Sequence, residues 1–132
     1  MERVELLAPA GDLERLKIAI EYGADAVYLG GENFGMRTAA KNFSNEEIKE
    51  GVEFAHKRGK KVFVTVNIIP HNEDFNGLAE YLIKLEKAGV DALIASDPGV
   101  ISVIKDTIPN MEIHLSTQAN TTNYHSANFW YK

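Results

Sequence analysis

Five short apolar runs, each followed by a segment with helical spacing, constrain the fold of this 132-residue chain more than any other feature. The predicted strands are residues 4–8, 26–29, 61–69, 92–95 and 113–116. Strands separated by helices cannot form hairpins, so we expect parallel pairing with right-handed crossovers. The pattern predicts an α/β fold in which parallel strands alternate with helices, as in the N-terminal portion of a (β/α)-barrel.

Capping and stop signals mark the predicted helices. Ser44 and Glu47 have the spacing of a capping box, and Pro98 suits the first turn of a later helix. Gly23 and Gly89 each end a helix and stand two residues before an aspartate that precedes a strand. This internal repetition supports successive strand–helix units.

Composition excludes several kinds of site. The chain has no cysteine, so disulfides, thiolate nucleophiles and cysteine-ligated metal centres are excluded within these residues. A formal net charge of −5 does not indicate strong general attraction to nucleic-acid phosphate. The basic cluster at residues 57–61 is interpreted as a solvated helix end, with a local RNA-facing patch as the alternative.

No apolar run reaches the roughly 20 residues of a membrane span. The acidic start of the chain lacks the pattern of a signal peptide. We therefore expect no membrane partner and a cytoplasmic location.

Residues 6–43 carry four motifs of a known family: LLAPAGD at 6–12, GADAVYLGG at 23–31, FGMR at 34–37 and NFS at 42–44. This block closely resembles the N-terminal region of the peptidase U32 family, the collagenase-like proteases, and further matches continue to residue 120. The resemblance implies a peptidase acting on a peptide or protein substrate. Some relatives instead support hydroxylation of tRNA, ribosomal RNA or quinones, with cysteine-ligated iron–sulfur clusters. RNA is therefore an alternative partner.

The family barrel continues beyond the length of this chain and reaches a cysteine-containing signature. We therefore expect residues 1–132 to form a single partial barrel domain, cut at its C-terminal end, with a short natural chain as the alternative. No cofactor is expected in this segment. An iron–sulfur cluster held by downstream sequence is the cofactor that the resemblance implies.

Active sites of parallel α/β folds lie at the carboxyl ends of the strands. Small or hydrogen-bonding residues there are the ligand-binding candidates, and they match the family pattern: Gly11, Gly30, Gly31, Arg37, Asn67, Asp97, Ser116, Gln118 and Asn120. Backbone N–H groups at helix starts, with Arg37 as the cation, suit a polar or anionic ligand.

Each candidate has a structural alternative. Gly30 and Gly31 allow the chain to turn, and Arg37 pairs with Glu32 or Asp12 to hold its loop. Asn67 and Gln118 satisfy backbone groups at the barrel rim, and Asp97 caps a helix. Both interpretations stay open at the level of sequence.

The catalytic residues are unknown from sequence, because no protease or metal pattern is evident. Serine hydrolysis needs a base within hydrogen-bond reach of the hydroxyl, and zinc peptidases need closely spaced ligands. His71 follows a strand and is the best placed histidine, whereas His114 faces the same way as Ser116. We therefore expect no metal site. The hypotheses are a U32-type peptidase domain and a non-catalytic binding part of a hydroxylation protein.

We also expect a homo-oligomer. An incomplete barrel leaves two sheet edges with unpaired backbone groups. We expect an uncovered apolar face bearing Val27, Leu29, Val64 and Val66, which a second copy would bury.

Overall fold

The computed structural model describes residues 3–36 and 42–132. The strands are β1 (Leu7–Pro9), β2 (Ala26–Gly30), β3 (Lys61–Thr65), β4 (Ala92–Ala95) and β5 (Glu112–Leu115). The helices are α1 (Leu13–Glu21), α2 (Asn45–His56), α3 (Leu78–Ala88), α4 (Pro98–Thr107) and α5 (Tyr124–Tyr131), with 3₁₀ turns at Asn72–Phe75 and Thr117–Ala119. Within the described ranges, no helix combines the length and apolar character needed to cross a bilayer.

The strands form a single sheet in the order β1-β2-β3-β4-β5, and every neighbouring pair is parallel. The predicted α/β architecture is therefore confirmed. The capping box is also present, since Ser44 and Glu47 exchange side chain-to-backbone hydrogen bonds.

Two strands are shorter than predicted. β1 begins at Leu7 rather than at residue 4, because its pairing with β2 begins at Leu7 opposite Ala26, the first residue of β2. β3 ends at Thr65 rather than at residue 69, since the chain then turns to the loop after β2. There the Ile68 N–H donates to the Phe34 carbonyl at 3.1 Å.

The prediction that Val27, Leu29, Val64 and Val66 form an uncovered apolar face is wrong. Val27, Leu29, Val64 and Val66 are buried in the main core, together with residues from the helices. Side chains alternate along a strand, and these four lie on the helix-covered face. The opposite face carries a small second cluster of Ala26, Phe63 and Ala92, against which Ile94 packs. Oligomerisation stays a prediction that now rests on the outer strands β1 and β5.

The repeated Gly-x-Asp sequence has a structural explanation. The Asp25 N–H donates to the Leu6 carbonyl, and the Leu6 N–H donates back to the Asp25 carboxylate, both at 2.8 Å. Asp91 exchanges the same two bonds with Val62 in β3, at 2.9 and 2.8 Å. Each aspartate thus fixes the amino end of its own strand to that of a neighbouring strand.

We expect Asp25→Asn to destabilise the chain near neutral pH. The hydrogen bond from the Leu6 N–H is the main cause that lowers the pKa of Asp25 below its ordinary value of 3.8, with Lys60 and Arg3 as further causes. A carboxyl whose pKa is lowered by folding stabilises the fold above its unfolded pKa and loses that effect as the pH falls through the folded pKa. The urea midpoint of the variant should therefore be lower than that of the parent at pH 7, and the gap should narrow below about pH 4.

Asp106→Asn is the matched control, because Asp106 is an exposed aspartate on α4. Its urea midpoint should not fall below that of the parent anywhere in the same pH series, because Asp106 lies in the last turn of α4, where a negative charge does not stabilise the helix. A gap for Asp25→Asn that stays constant down to about pH 2 would contradict the assigned role of the charge.

Candidate functional site

Polar side chains gather at the carboxyl ends of the strands. Gly30, Thr65, Ile94 and His114 are successive register partners across β2 to β5. The ladder continues beyond this row, since the Val66 N–H donates to the Ile94 carbonyl and the Ser116 N–H to that of Ala95. Asn67, Ser96 and Ser116 each follow one of these strands within two residues of its end.

A cavity of about 500 Å³ lies at the end of β5. It is lined by Leu115, Ser116, Thr117, Asn120, Thr121 and Thr122. Ser116 begins the 3₁₀ turn and accepts a hydrogen bond from the Gln118 N–H at 3.5 Å, while Asn120 ends it in the left-handed region with φ 52°. Two of the predicted residues therefore line this cavity, and five of its six lining residues carry an uncharged hydroxyl or amide group.

Asn67 holds the loop after β2. Its Oδ1 accepts a hydrogen bond from the Met36 N–H at 3.2 Å. The predicted role in satisfying backbone groups at the rim is therefore present. Arg37 lies outside the described residues.

Gly31 provides space for a buried side chain. A Cβ at this position would overlap the Tyr81 hydroxyl, whereas a Cβ at Gly30 would meet Asn42 Oδ1 at 3.4 Å and Thr65 Oγ1 at 3.5 Å. Neither glycine has a positive φ. Close packing, rather than left-handed backbone, therefore explains the lack of a side chain at Gly31, whereas the contacts at Gly30 are ordinary van der Waals distances.

Three other candidates serve local structure or face solvent. Asp97 caps α4, because its carboxylate accepts a hydrogen bond from the Val100 N–H at 3.0 Å. Gly11 is exposed and precedes Asp12, the cap of α1. Gln118 is exposed on the 3₁₀ turn, outside the residues that line the cavity.

Two of the four histidines contact carboxylates through their imidazole rings. His114 Nε2 lies 2.6 Å from Glu112 Oε1, and its ring packs edge-on against Phe63 with centroids 4.7 Å apart. His56 pairs with Asp91 at 2.9 Å, and His71 is exposed. Among the described residues, no group of three or more histidine, aspartate or glutamate side chains is placed to hold a metal ion.

Sequence reasoning missed two buried hydroxyls. The hydroxyl oxygens of Ser96 and Tyr81 have no hydrogen-bond partner among the described residues. Burial and the nearby charge of Glu32 raise the pKa of Tyr81 above its ordinary range, so this phenol stays protonated. Ser96 directly follows β4. Because side chains alternate along a strand, Ser96 is expected on the same face of the sheet as Ile94, and this alternation could have identified it from the sequence.

Comparisons with known proteins agree on one family. The family described as "Peptidase family U32" matches residues 11–132. The Bacillus subtilis protein named tRNA hydroxylation protein P1 is 52% identical over 129 residues, covering 98% of this chain and 31% of that protein. The Escherichia coli 23S rRNA 5-hydroxycytidine C2501 synthase is 43% identical over 127 residues, covering 96% of this chain and 19% of that protein.

Among solved structures, the U32 peptidase Mk0906 matches with a TM-score of 0.76 at 16% identity. The match covers 96% of this chain and 54% of that chain, and at this identity it shows the fold alone. The chain thus spans about a third or less of the two relatives named above.

We expect Gly31→Ala to destabilise the chain by about 1–3 kcal/mol, because the new methyl group overlaps the Tyr81 hydroxyl. Tyr81→Phe should be nearly neutral, since it removes a buried hydroxyl with no partner among the described residues. In the double variant the penalty of Gly31→Ala should shrink by more than about 0.5 kcal/mol. Urea unfolding of all four proteins measures this coupling.

Gly35→Ala is the control for the loss of glycine, since a Cβ there has Thr65 Oγ1 at 3.8 Å as its nearest neighbour. It should cost less than Gly31→Ala. If the losses in the free energy of unfolding of Gly31→Ala and Tyr81→Phe simply add in the double variant, contact with the Tyr81 hydroxyl is not the reason for a glycine at residue 31.

Proposed function

The chain belongs to peptidase family U32, and from this membership we propose that it forms the substrate-binding part of an RNA hydroxylation protein. The observation that carries the proposal is the cavity at the end of β5, which is lined by the hydroxyl- and amide-bearing residues Ser116, Thr117, Asn120, Thr121 and Thr122 together with Leu115. Its lining residues bear no formal charge.

Such a lining suits a nucleotide taken from an unpaired RNA segment. Unstacked bases are recognised by hydrogen bonds to their edges, and the ribose 2′-hydroxyl both donates and accepts. Ser116, Thr117 and Asn120 supply matching donors and acceptors without a charge. The names of the relatives, which concern tRNA and 23S rRNA, favour the same class of substrate.

Peptide hydrolysis has less support within this chain. A serine nucleophile needs a base at hydrogen-bond distance, and the imidazoles of His56 and His114 hydrogen-bond to carboxylates. An iron–sulfur cluster does not fit these residues either, because the chain has no cysteine. We propose that any such cluster is ligated by sequence outside this chain, which is non-catalytic on its own.

A segment exchange tests the proposal. This chain replaces the matching third of the Bacillus subtilis tRNA hydroxylation protein P1 in cells that lack the native protein, and hydroxylated nucleosides in tRNA are measured by mass spectrometry. We expect the chimera to restore hydroxylation. Ser116→Ala and Asn120→Gly should each lower it about fivefold or more, because each removes a group that binds the substrate.

Asn120→Gly keeps the left-handed backbone that Asn120 adopts, so its effect reports the lost amide. Asn110→Ala is the control, because Asn110 is an exposed asparagine away from the cavity. Unchanged hydroxylation in both cavity variants would overturn the proposed substrate site. Casein cleavage by the purified chain would favour the peptidase hypothesis instead.

A further inference from the structure

A second cavity, of about 410 Å³, lies between the loops that follow β2 and β3. The first loop contributes Asn33 and Phe34, the start of α2 contributes Asn45, and the α3 region contributes Asn76, Tyr81 and Lys84. Both loops follow the carboxyl ends of their strands, so this cavity and the one at β5 belong to the same end of the sheet.

The aromatic wall of this cavity is held in an unusual conformation. Phe34 has φ 61°, a region that bulky residues rarely adopt, and its ring lies 5.3 Å from that of Tyr81. Two hydrogen bonds to residues just after β3 hold this loop in place. The Ile68 N–H donates to the Phe34 carbonyl, and Asn67 Oδ1 accepts from the Met36 N–H. A strained residue that its surroundings maintain suggests a function for the ring.

The polar groups of the cavity are donors as well as acceptors. Three asparagine amides line it, and Lys84 adds a cation two helical turns from Gly77. Gly77 begins α3 without a side-chain cap, whereas side chains cap α1, α2, α4 and α5. The first-turn N–H groups of α3 are therefore available to an anion.

Two further groups shape what the cavity accepts. Tyr81 is 4% exposed, and its hydroxyl is buried against Gly31, so this residue offers the cavity no accessible donor. Glu80 also lines the cavity and disfavours a ligand that carries only negative charge. The ligand should thus combine an anion with a polar, planar group.

We propose that this cavity binds one nucleotide of single-stranded RNA that flanks the nucleotide to be modified. The base stacks on Phe34 with its edge toward the asparagine amides and Glu80, and the phosphate faces Lys84 and the first turn of α3. The choice of RNA rests on the proposed function, while the site is separate from the cavity at β5.

The test measures binding of a fluorescently labelled oligouridylate by anisotropy across a series of salt concentrations. Phe34→Leu keeps an apolar side chain but removes the stacking face, and it should weaken binding about fivefold or more. A plot of the logarithm of the association constant against the logarithm of the salt concentration has a negative slope. Lys84→Gln should reduce the magnitude of that slope by about 0.7, because one phosphate contact is lost. Lys105→Gln, at an exposed lysine on α4, should change neither quantity.

Nuclear magnetic resonance with uridine monophosphate separates the two proposals. Shifts of the side-chain amides of Asn33, Asn45 and Asn76 support the cavity proposal. Such shifts together with a chimera that fails to restore hydroxylation would count against the proposed function alone, whereas a chain that binds neither uridine monophosphate nor the oligonucleotide overturns the cavity proposal. Oligonucleotide binding that Phe34→Leu and Lys84→Gln leave unchanged overturns the cavity proposal alone. Since Lys84 is exposed, its variant tests the site even if Phe34→Leu fails to fold.

Discussion

Parallel pairing of consecutive strands is the constraint on which the rest of this structure depends. Each strand must be followed by a crossover that returns the chain to the other end of the sheet, and here helices supply these connections. All loops that follow strands therefore meet at one edge. Residues far apart in sequence, such as Asn67 after β3 and Ser116 after β5, thereby reach the same edge of the sheet without any direct attraction between them.

The alternation of elements could be predicted because it depends on local signals. Apolar runs, the Ser44 capping box and glycine helix ends each act within a few residues, and the structure has them where the sequence placed them. The face of each strand was harder to assign. Side chains alternate between the two faces of a strand, but no local sequence signal shows which face the helices cover. Val27 and Val64 were therefore assigned to the uncovered face, whereas they lie on the helix-covered one.

The candidate site was predictable to the extent that it follows strand ends. Ser116 and Asn120 were found in this way and line one cavity. Tyr81 was missed because its position beside Gly31 arises from packing between a helix and a loop 50 residues earlier in the chain. Conversely, the sequence around Asp97 fits both a helix cap and a ligand-binding or catalytic acid. Only the hydrogen bond from the Val100 N–H shows that Asp97 caps α4.

The two ends of the sheet satisfy their polar groups differently. At the amino end, Asp25 and Asp91 accept hydrogen bonds from backbone N–H groups and also contact the side chains of Lys60 and His56, which ties neighbouring strands together. At the carboxyl end, the hydroxyl of Ser96 and the first turn of α3 lack such side-chain partners within the described ranges. Because the chain carries a net charge of −5, an RNA ligand would not be held by a general electrostatic field. Its affinity would instead depend on a few local contacts at this end, so selectivity for unpaired nucleotides would come from stacking and hydrogen bonding rather than from charge.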